Sequence, residues 1–291
     1  MPKNYEEVTR RKPAWLKIRL HEGAEFAEVA KLVKENCLHT ICSSGKCPNQ
    51  SECWSRRTAT FMVMGDICTR SCKFCATKTG KPLPLDVNEP VKVARSVNVM
   101  GLKYCVVTSV DRDDLADKGA EHWAETVRHI RALNPETKIE LLVPDFDGEP
   151  SLLDIVIAAA PDVLGHNLET VERITPLVRS RARYRTSLDV LKYISQAGVV
   201  SKSGLMLGLG ETRDEILITL DDLAESGCRI VTMGQYLQPT AKHLPVAEYV
   251  HPDMFGYYKE EALKRGFDHV ESAPLVRSSY MADKAAAKSL K

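Results

Sequence analysis

Six of the nine cysteines form two triplets close together in the chain: Cys42, Cys47 and Cys53, then Cys68, Cys72 and Cys75. The second is spaced CxxxCxxC, with Phe74 just before its last member. Three thiolates can hold three irons of a 4Fe-4S cube and leave the fourth open, where a small molecule can bind and accept an electron. Structural zinc usually takes four ligands in paired spacing, which this run does not offer. It therefore points to redox catalysis on a bound cofactor. The first triplet, CxxxxCxxxxxC, admits three readings: a second cluster, an electron relay, or a zinc knuckle completed by His39. Of the remaining cysteines, Cys105 lies in the apolar run from Tyr104 to Thr108 and reads as core, while Cys37 and Cys228 read as structural thiols.

Composition narrows the partners. The chain has 291 residues, 44% hydrophobic and 27% charged, with 40 Lys and Arg against 39 Asp and Glu. So even a balance gives no footprint for nucleic acid or for an anionic membrane surface. No stretch approaches the roughly 20 apolar residues of a membrane span. Arg10, Arg11, Lys12, Lys17 and Arg19 are accompanied by Glu6 and Glu7, against the pattern of a transit peptide. The expected location is the cytoplasm, where an odd number of cysteines means metal ligands and free thiols, not a disulfide framework.

The elements that must position these thiols follow from periodicity. An amphipathic stretch runs from about Phe26 to Cys37, and the first triplet sits in polar loop chemistry. From Thr58 onward, short apolar runs (Ala59 to Met64, Tyr104 to Thr108, Lys138 to Val143, Asp162 to His166, Ser203 to Leu207, Arg229 to Met233) alternate with helical patterns. The helical patterns fall near Pro90 to Asn98, Gly119 to Leu133, Ser151 to Ala160, Leu168 to Arg179, Ser187 to Ala197 and Glu211 to Ser226. Such alternation gives right-handed βαβ units. The expected fold is α/β: a partial or open parallel barrel of six strand-helix units with an N-terminal cluster-binding extension and a short C-terminal segment. The expected divisions are residues 1–58, 59–270 and 271–291, with the Ala/Lys-rich end from Ala282 to Lys291 fraying as a helix or tail. Sites in such barrels lie at the C-terminal ends of the strands. The second triplet follows the first strand, in that position.

The CxxxCxxC run, followed by this alternation, resembles the radical S-adenosylmethionine (SAM) superfamily. Gly204-Leu-Met206-Leu-Gly208-Leu-Gly210-Glu211 is similar to its fifth-strand GxIxGxxE segment, which approaches the adenine. By that resemblance, Cys68, Cys72 and Cys75 hold the cluster whose open iron chelates SAM. Phe74, Thr108, Ser109, Asn167, Glu169, Met206, Tyr236 and Leu237 are the expected SAM contacts, with Asn167 and Glu169 accepting ribose hydroxyls. The run Asp111-Arg112-Asp113-Asp114 after Thr108 and Ser109 suits recognition of the methionine part, or else a capped loop.

Within that superfamily the sequence resembles the lipoyl synthase family along nearly its whole length. The resemblance is carried by Arg11-Lys12-Pro13-Ala14-Trp15-Leu16-Lys17, Cys47-Pro48-Asn49-Gln50-Ser51-Glu52-Cys53-Trp54, His166-Asn167-Leu168-Glu169-Thr170, Gly234-Gln235-Tyr236-Leu237-Gln238-Pro239-Thr240 and Arg277-Ser278-Ser279-Tyr280. It implies two 4Fe-4S clusters and SAM as cofactors, and insertion of two sulfur atoms at carbons six and eight of a protein-bound octanoyl-lysine. Cys42, Cys47 and Cys53 would hold an auxiliary cluster that is consumed as the sulfur source. Its fourth ligand would be Ser279, with Ser278 the alternative and a helix N-cap the structural reading of Ser279. A hard alkoxide suits a soft sulfide cluster less well than thiolate, and so can leave. The implied partners are an octanoylated lipoyl-domain carrier (a 2-oxoacid dehydrogenase E2 or the glycine-cleavage H protein), a low-potential donor such as ferredoxin or flavodoxin, and an iron-sulfur carrier. Nucleic acid and membrane are not expected.

Competing readings are another radical SAM enzyme that uses the second cluster for electron transfer, a two-cluster carrier of ferredoxin type, and a zinc-binding module. His166, His243 and His251 read as satisfied histidines. Arg173, Arg179, Arg181, Arg183 and Arg185 read as a solvated surface, or alternatively as a dock for an acidic partner. Met281 and Gly165 depart from the residues expected there in the family.

Overall fold

The computed structural model describes residues 12–18 and 23–289. Arg10, Arg11, Arg19, Glu6, Glu7 and the last two residues lie outside them. In chain order the first elements are α1 (Ala24–Glu35), β1 (His39–Thr40), α2 (Ile41–Ser44), α3 (Gln50–Ser55), β2 (Thr60–Val63), β3 (Ile67–Cys68) and β4 (Lys78–Thr79). Then come α4 (Glu89–Met100), β5 (Tyr104–Ser109), α5 (Ala120–Leu133), β6 (Lys138–Leu142), α6 (Pro150–Ala158) and β7 (Val163–Gly165). The chain continues through α7 (Thr175–Val178), α8 (Tyr184–Gln196), β8 (Val200–Leu207), α9 (Arg213–Glu225), β9 (Ile230–Gln235), α10 (Pro252–Lys264), β10 (His269–Ser272) and α11 (Ala282–Ser289).

Strands that are apolar on both faces must be covered on both, which is the condition of a parallel sheet wrapped by helices. β2 and β9 are buried along their whole length. The order is β1-β2-β5-β6-β7-β8-β9-β10. Every pairing in it is parallel except β1 with β2, where His39 faces Met62. The six expected strands stand in order, and β10 extends the parallel sheet at the β9 edge. The barrel is open, since β1 and β10 are edges and do not pair.

The helices begin and end on local signals. Pro90 enters α4 in its first turn, where a missing N–H costs nothing. The Thr212 and Glu215 side chains cap α9 reciprocally. The core lies in two halves, one around Phe61, Trp123, Ile139 and Leu141, the other around Leu205, Val231, Met233 and Phe255. Each such side chain contributes about 2 kcal/mol by leaving water.

Two expectations are corrected. A helix from Leu168 to Arg179 shrinks to α7, because Glu169 adopts a left-handed conformation (φ 71°) and bridges to Leu205, carrying the chain along β8. The end of the chain does not fray before Ser289: α11 lies against β10 and β5, with Ala282 and Ser289 buried.

The C-terminal segment crosses the open seam of the barrel. Asn49 Nδ2 donates to the Leu275 carbonyl at 2.7 Å, Thr60 Oγ1 to Ser279 Oγ at 2.8 Å, and Tyr280 to Glu52 Oε1 at 3.2 Å. Gly234 on β9 makes the crossing possible, since a Cβ there would collide with the Val276 carbonyl.

Candidate active site

The CxxxCxxC loop is pinned at both ends. β3 and β4 pair in parallel, Ile67 with Lys78 and Cys68 with Thr79, so the loop leaves and returns at one place. Its backbone is then tied outward: Lys73 N–H donates to the Val178 carbonyl at 2.8 Å, Ser71 N–H to Ser180 Oγ at 3.0 Å, and the Cys75 carbonyl lies 2.9 Å from His243 Nε2. The amides of Arg70 and Asp111 donate to Cys68 Sγ at 3.4 and 3.3 Å, the kind of contact that tunes a cluster thiolate.

Arg70, inside the loop, is the anchor that sequence reading missed. Its Nε and Nη2 form a fork on Asp113 at 2.9 and 2.8 Å, and Nη1 reaches Asp145 at 2.8 Å. Asp111 at 3.3 Å and Asp147 at 3.6 Å complete the ring of carboxylates, with the guanidinium only 4% exposed. The acidic run after β5 is thus spent on the loop and on Arg112, which forks onto Asp114, and does not face a ligand as free charges. The signal was present as complementary charge, one arginine within the cysteine run and acids at the ends of two strands.

The first triplet is assembled by α2, the turn after it, and α3. Cys42 is buried beside Trp54 and Ala59, and Cys47 and Cys53 pack against the same group. Cys42 lies in α2, which packs against β2, and the hydroxyl of Thr60 at the start of β2 donates to Ser279 Oγ. Ser278 turns the other way, donating to Asn167 Oδ1 at 3.1 Å. Arg277 is near enough to Cys47 for their charges to interact.

One cavity of about 630 Å³ joins the two regions. Cys68, Cys72, Cys75 and Phe74 line it, as do Cys42, Cys47 and Ser279. Thr108, Ser109, Asn167, Glu169, Met206, Tyr236 and Leu237 complete the set of sequence-selected residues in its wall. Cys53 lies behind the wall, in α3. Thr108 spends its hydroxyl on the Leu142 carbonyl, and Tyr236 spends its own on the Leu244 carbonyl. Gly204 brings β8 against Asn167: a Cβ there would stand 2.8 Å from Asn167 Oδ1 and 2.9 Å from Thr232 Oγ1. Burial pushes the Glu169 carboxyl up while Arg179 opposes the shift.

The profile of the radical SAM superfamily matches residues 62–223. A lipoyl synthase of Bacteroides fragilis is 59% identical over 274 residues, covering 94% of this chain and 95% of that one. Another, from Bacteroides thetaiotaomicron, is 60% identical with coverage of 94% and 97%. This chain belongs to the lipoyl synthase family. Among solved structures, SuiB of Streptococcus suis bound to S-adenosylmethionine has a TM-score of 0.59 at 13% identity, covering 86% of this chain and 61% of that one. Methylornithine synthase has a TM-score of 0.57 at 13% identity, with coverage of 72% and 70%. Both support the fold, an open radical SAM barrel.

The cofactors of the lipoyl synthase family are SAM and two 4Fe-4S clusters, and the donor set here fits them. Burial pushes the Cys68 thiol up to about 12, with Asp111 adding to it. Burial also pushes Cys53 up to about 12, with Cys42 and Cys47 adding their repulsion, and it raises Cys42, Cys47 and Cys75. Buried thiols crowded in this way become thiolates only against strong positive charge, which iron supplies.

His166, His243 and His251 are satisfied. His166 lies 2.9 Å from both the Val143 carbonyl and Ser187 Oγ, and His251 caps α10. Three of the five arginines from 173 to 185 are paired with carboxylates of the chain, Arg173 with Glu215, Arg181 with Asp147 and Arg185 with Glu172, and Arg179 is bound to the carbonyls of Asn167 and Leu168.

Proposed function

We propose that this cavity is the reaction chamber in which an octanoyl chain on a carrier lysine receives two sulfur atoms, at carbons six and eight, to become the lipoyl group. The single observation that carries the assignment of residues is that one cavity is walled by Cys68, Cys72 and Cys75, by Cys42 and Cys47 of the first triplet, and by Ser279. Cys68, Cys72 and Cys75 hold the radical-generating cluster, and Cys42, Cys47, Cys53 and Ser279 hold the auxiliary one. When bound, the first cluster with SAM supplies a carbon-centred radical able to take hydrogen from an unactivated carbon, and the second is the co-substrate that gives up sulfur.

The chain itself binds, orients and keeps out water. Phe74 and Met206 offer apolar contact, while Asn167 and Glu169 offer acceptors for ribose hydroxyls at the end of β7. Ser279 fits the role of fourth ligand better than Ser278, because it meets Thr60 on the strand that packs against the helix of Cys42, whereas Ser278 is engaged by Asn167. A volume near 630 Å³ suits a nucleoside and an extended acyl chain together.

The working divisions are residues 1–58 for the auxiliary cysteines, 59–270 for the barrel and 271–291 for the segment that brings Ser279. The substrate is a lipoyl-domain protein, either a 2-oxoacid dehydrogenase E2 or a glycine-cleavage H protein. Electrons come from a ferredoxin or flavodoxin, and a cluster carrier restores the spent cluster. No helix among the described residues is long and apolar enough to cross a membrane, and we assign the cytoplasm. Two triple Cys→Ala variants test the division of labour. Loss of Cys68, Cys72 and Cys75 should abolish deoxyadenosine formation. Loss of Cys42, Cys47 and Cys53 should leave it while abolishing thiolated product, and thiolated product from that second variant would refute the assignment.

A further inference from the structure

We infer that Thr60 is a positioning residue of the sulfur-donating site, its hydroxyl donating to Ser279 Oγ and so fixing that oxygen beside the element that carries Cys42. The inference rests on the reading of Ser279 as a ligand and adds a residue which that reading does not contain. Thr60 opens β2, the strand beside the seam, and is 7% exposed. Its Oγ1 lies 2.8 Å from Ser279 Oγ and lines the same cavity. Cys42 is buried in α2, and α2 packs against β2, the strand that Thr60 opens. A rigid strand therefore touches the helix that carries one ligand and the C-terminal segment that carries another, two pieces of chain far apart in sequence.

A hydroxyl donor suits this place. Serine ligates iron as an alkoxide, and an O–H donated to that oxygen makes a short charge-assisted bond that spreads its charge. The same donor fixes the oxygen's direction, as outer partners of metal ligands commonly do, at a cost of about 10- to 100-fold in metal affinity when they are removed. Valine keeps the shape and the strand preference of threonine but offers no donor, whereas serine keeps the donor.

The test compares wild type, Thr60→Val, Thr60→Ser and Ser279→Ala, reconstituted anaerobically as full chains. Iron loss from the auxiliary cluster under a chelator is followed together with its Mössbauer spectrum, and thiolated product is scored per deoxyadenosine formed. Thr60→Val should lose auxiliary iron about 10- to 100-fold faster and shift the spectrum of the serine-ligated iron, while Thr60→Ser behaves as wild type. If Ser279→Ala is impaired and Thr60→Val matches wild type, the role of Thr60 is refuted. If Ser279→Ala retains the wild-type spectrum, the ligand reading fails, and the inference falls with it. Equal impairment of Thr60→Val and Thr60→Ser would show a packing effect and also overturn it.

Discussion

Ser278 Oγ donates to Asn167 Oδ1 at 3.1 Å, joining the C-terminal segment to the end of β7. Its neighbour Ser279 instead accepts from Thr60 Oγ1 at 2.8 Å, on the strand against which the helix of Cys42 packs. Two adjacent serines thus address two different parts of one cavity. Ser278→Ala should keep the auxiliary cluster and its spectrum but raise the ratio of deoxyadenosine to product, because the segment loses its tie to the SAM side. Ser279→Ala, which removes the ligand itself, should instead release auxiliary iron faster than wild type and faster than Thr60→Val. Iron analysis, Mössbauer spectra and chromatography of deoxyadenosine separate the two.

Arg70 gathers four carboxylates onto the cluster loop. Lysine keeps the charge and loses the fork, so Arg70→Lys should bind SAM more weakly and form deoxyadenosine more slowly, with a shifted potential of the radical cluster. Arg70→Met strands the buried acids and should destabilise the chain by about 3–5 kcal/mol. Redox titration and thermal unfolding check the two variants.

Lys202 and Glu140 form a pair at 2.6 Å deep among the strands, both nearly inaccessible, and Tyr104 donates to the same carboxylate at 2.6 Å. Lys202→Met should cost about 3–5 kcal/mol by leaving Glu140 uncompensated. Adding Glu140→Gln should recover part of the loss, because the buried charge is then gone. A double-mutant cycle of unfolding free energies measures this, and simple additivity would count against the pair.

His166 is held near 4, below its ordinary 6.5, by burial first and the charge of Arg179 second. The folded state refuses a proton that the unfolded chain accepts. Stability is therefore fully present above about pH 6.5 and declines as pH falls toward 4, by at most about 1.4 kcal/mol per unit from this group. The thermal midpoint should drop from pH 7 to pH 5, and His166→Gln should flatten that slope.

The parallel strands were legible because each carries a short, mostly apolar run between helical patterns, even where a buried pair such as Lys202 and Glu140 interrupts it. The cysteine spacing was legible because thiolate chemistry leaves few alternatives. The segment from Asn167 to Ile174 was not, since its composition suits a helix and only packing against β8 bends Glu169 out of it. β1 has two residues, too few for a period, and α3 hides its buried Trp54 among polar neighbours. Thr60 and Arg70 looked like a strand residue and a loop charge. Their roles come from partners far along the chain, which no local pattern records.

The central claim is that both sulfur atoms come from the cluster on Cys42, Cys47, Cys53 and Ser279, across the shared cavity. The most direct measurement reconstitutes the protein with sulfur-34 sulfide, adds SAM, a reductant and an octanoyl-lysyl peptide with unlabelled sulfide in solution, and reads a single turnover by mass spectrometry. The account predicts a peptide carrying two heavy sulfur atoms. Deoxyadenosine formed with a peptide that gains no sulfur, or gains only light sulfur, would contradict it.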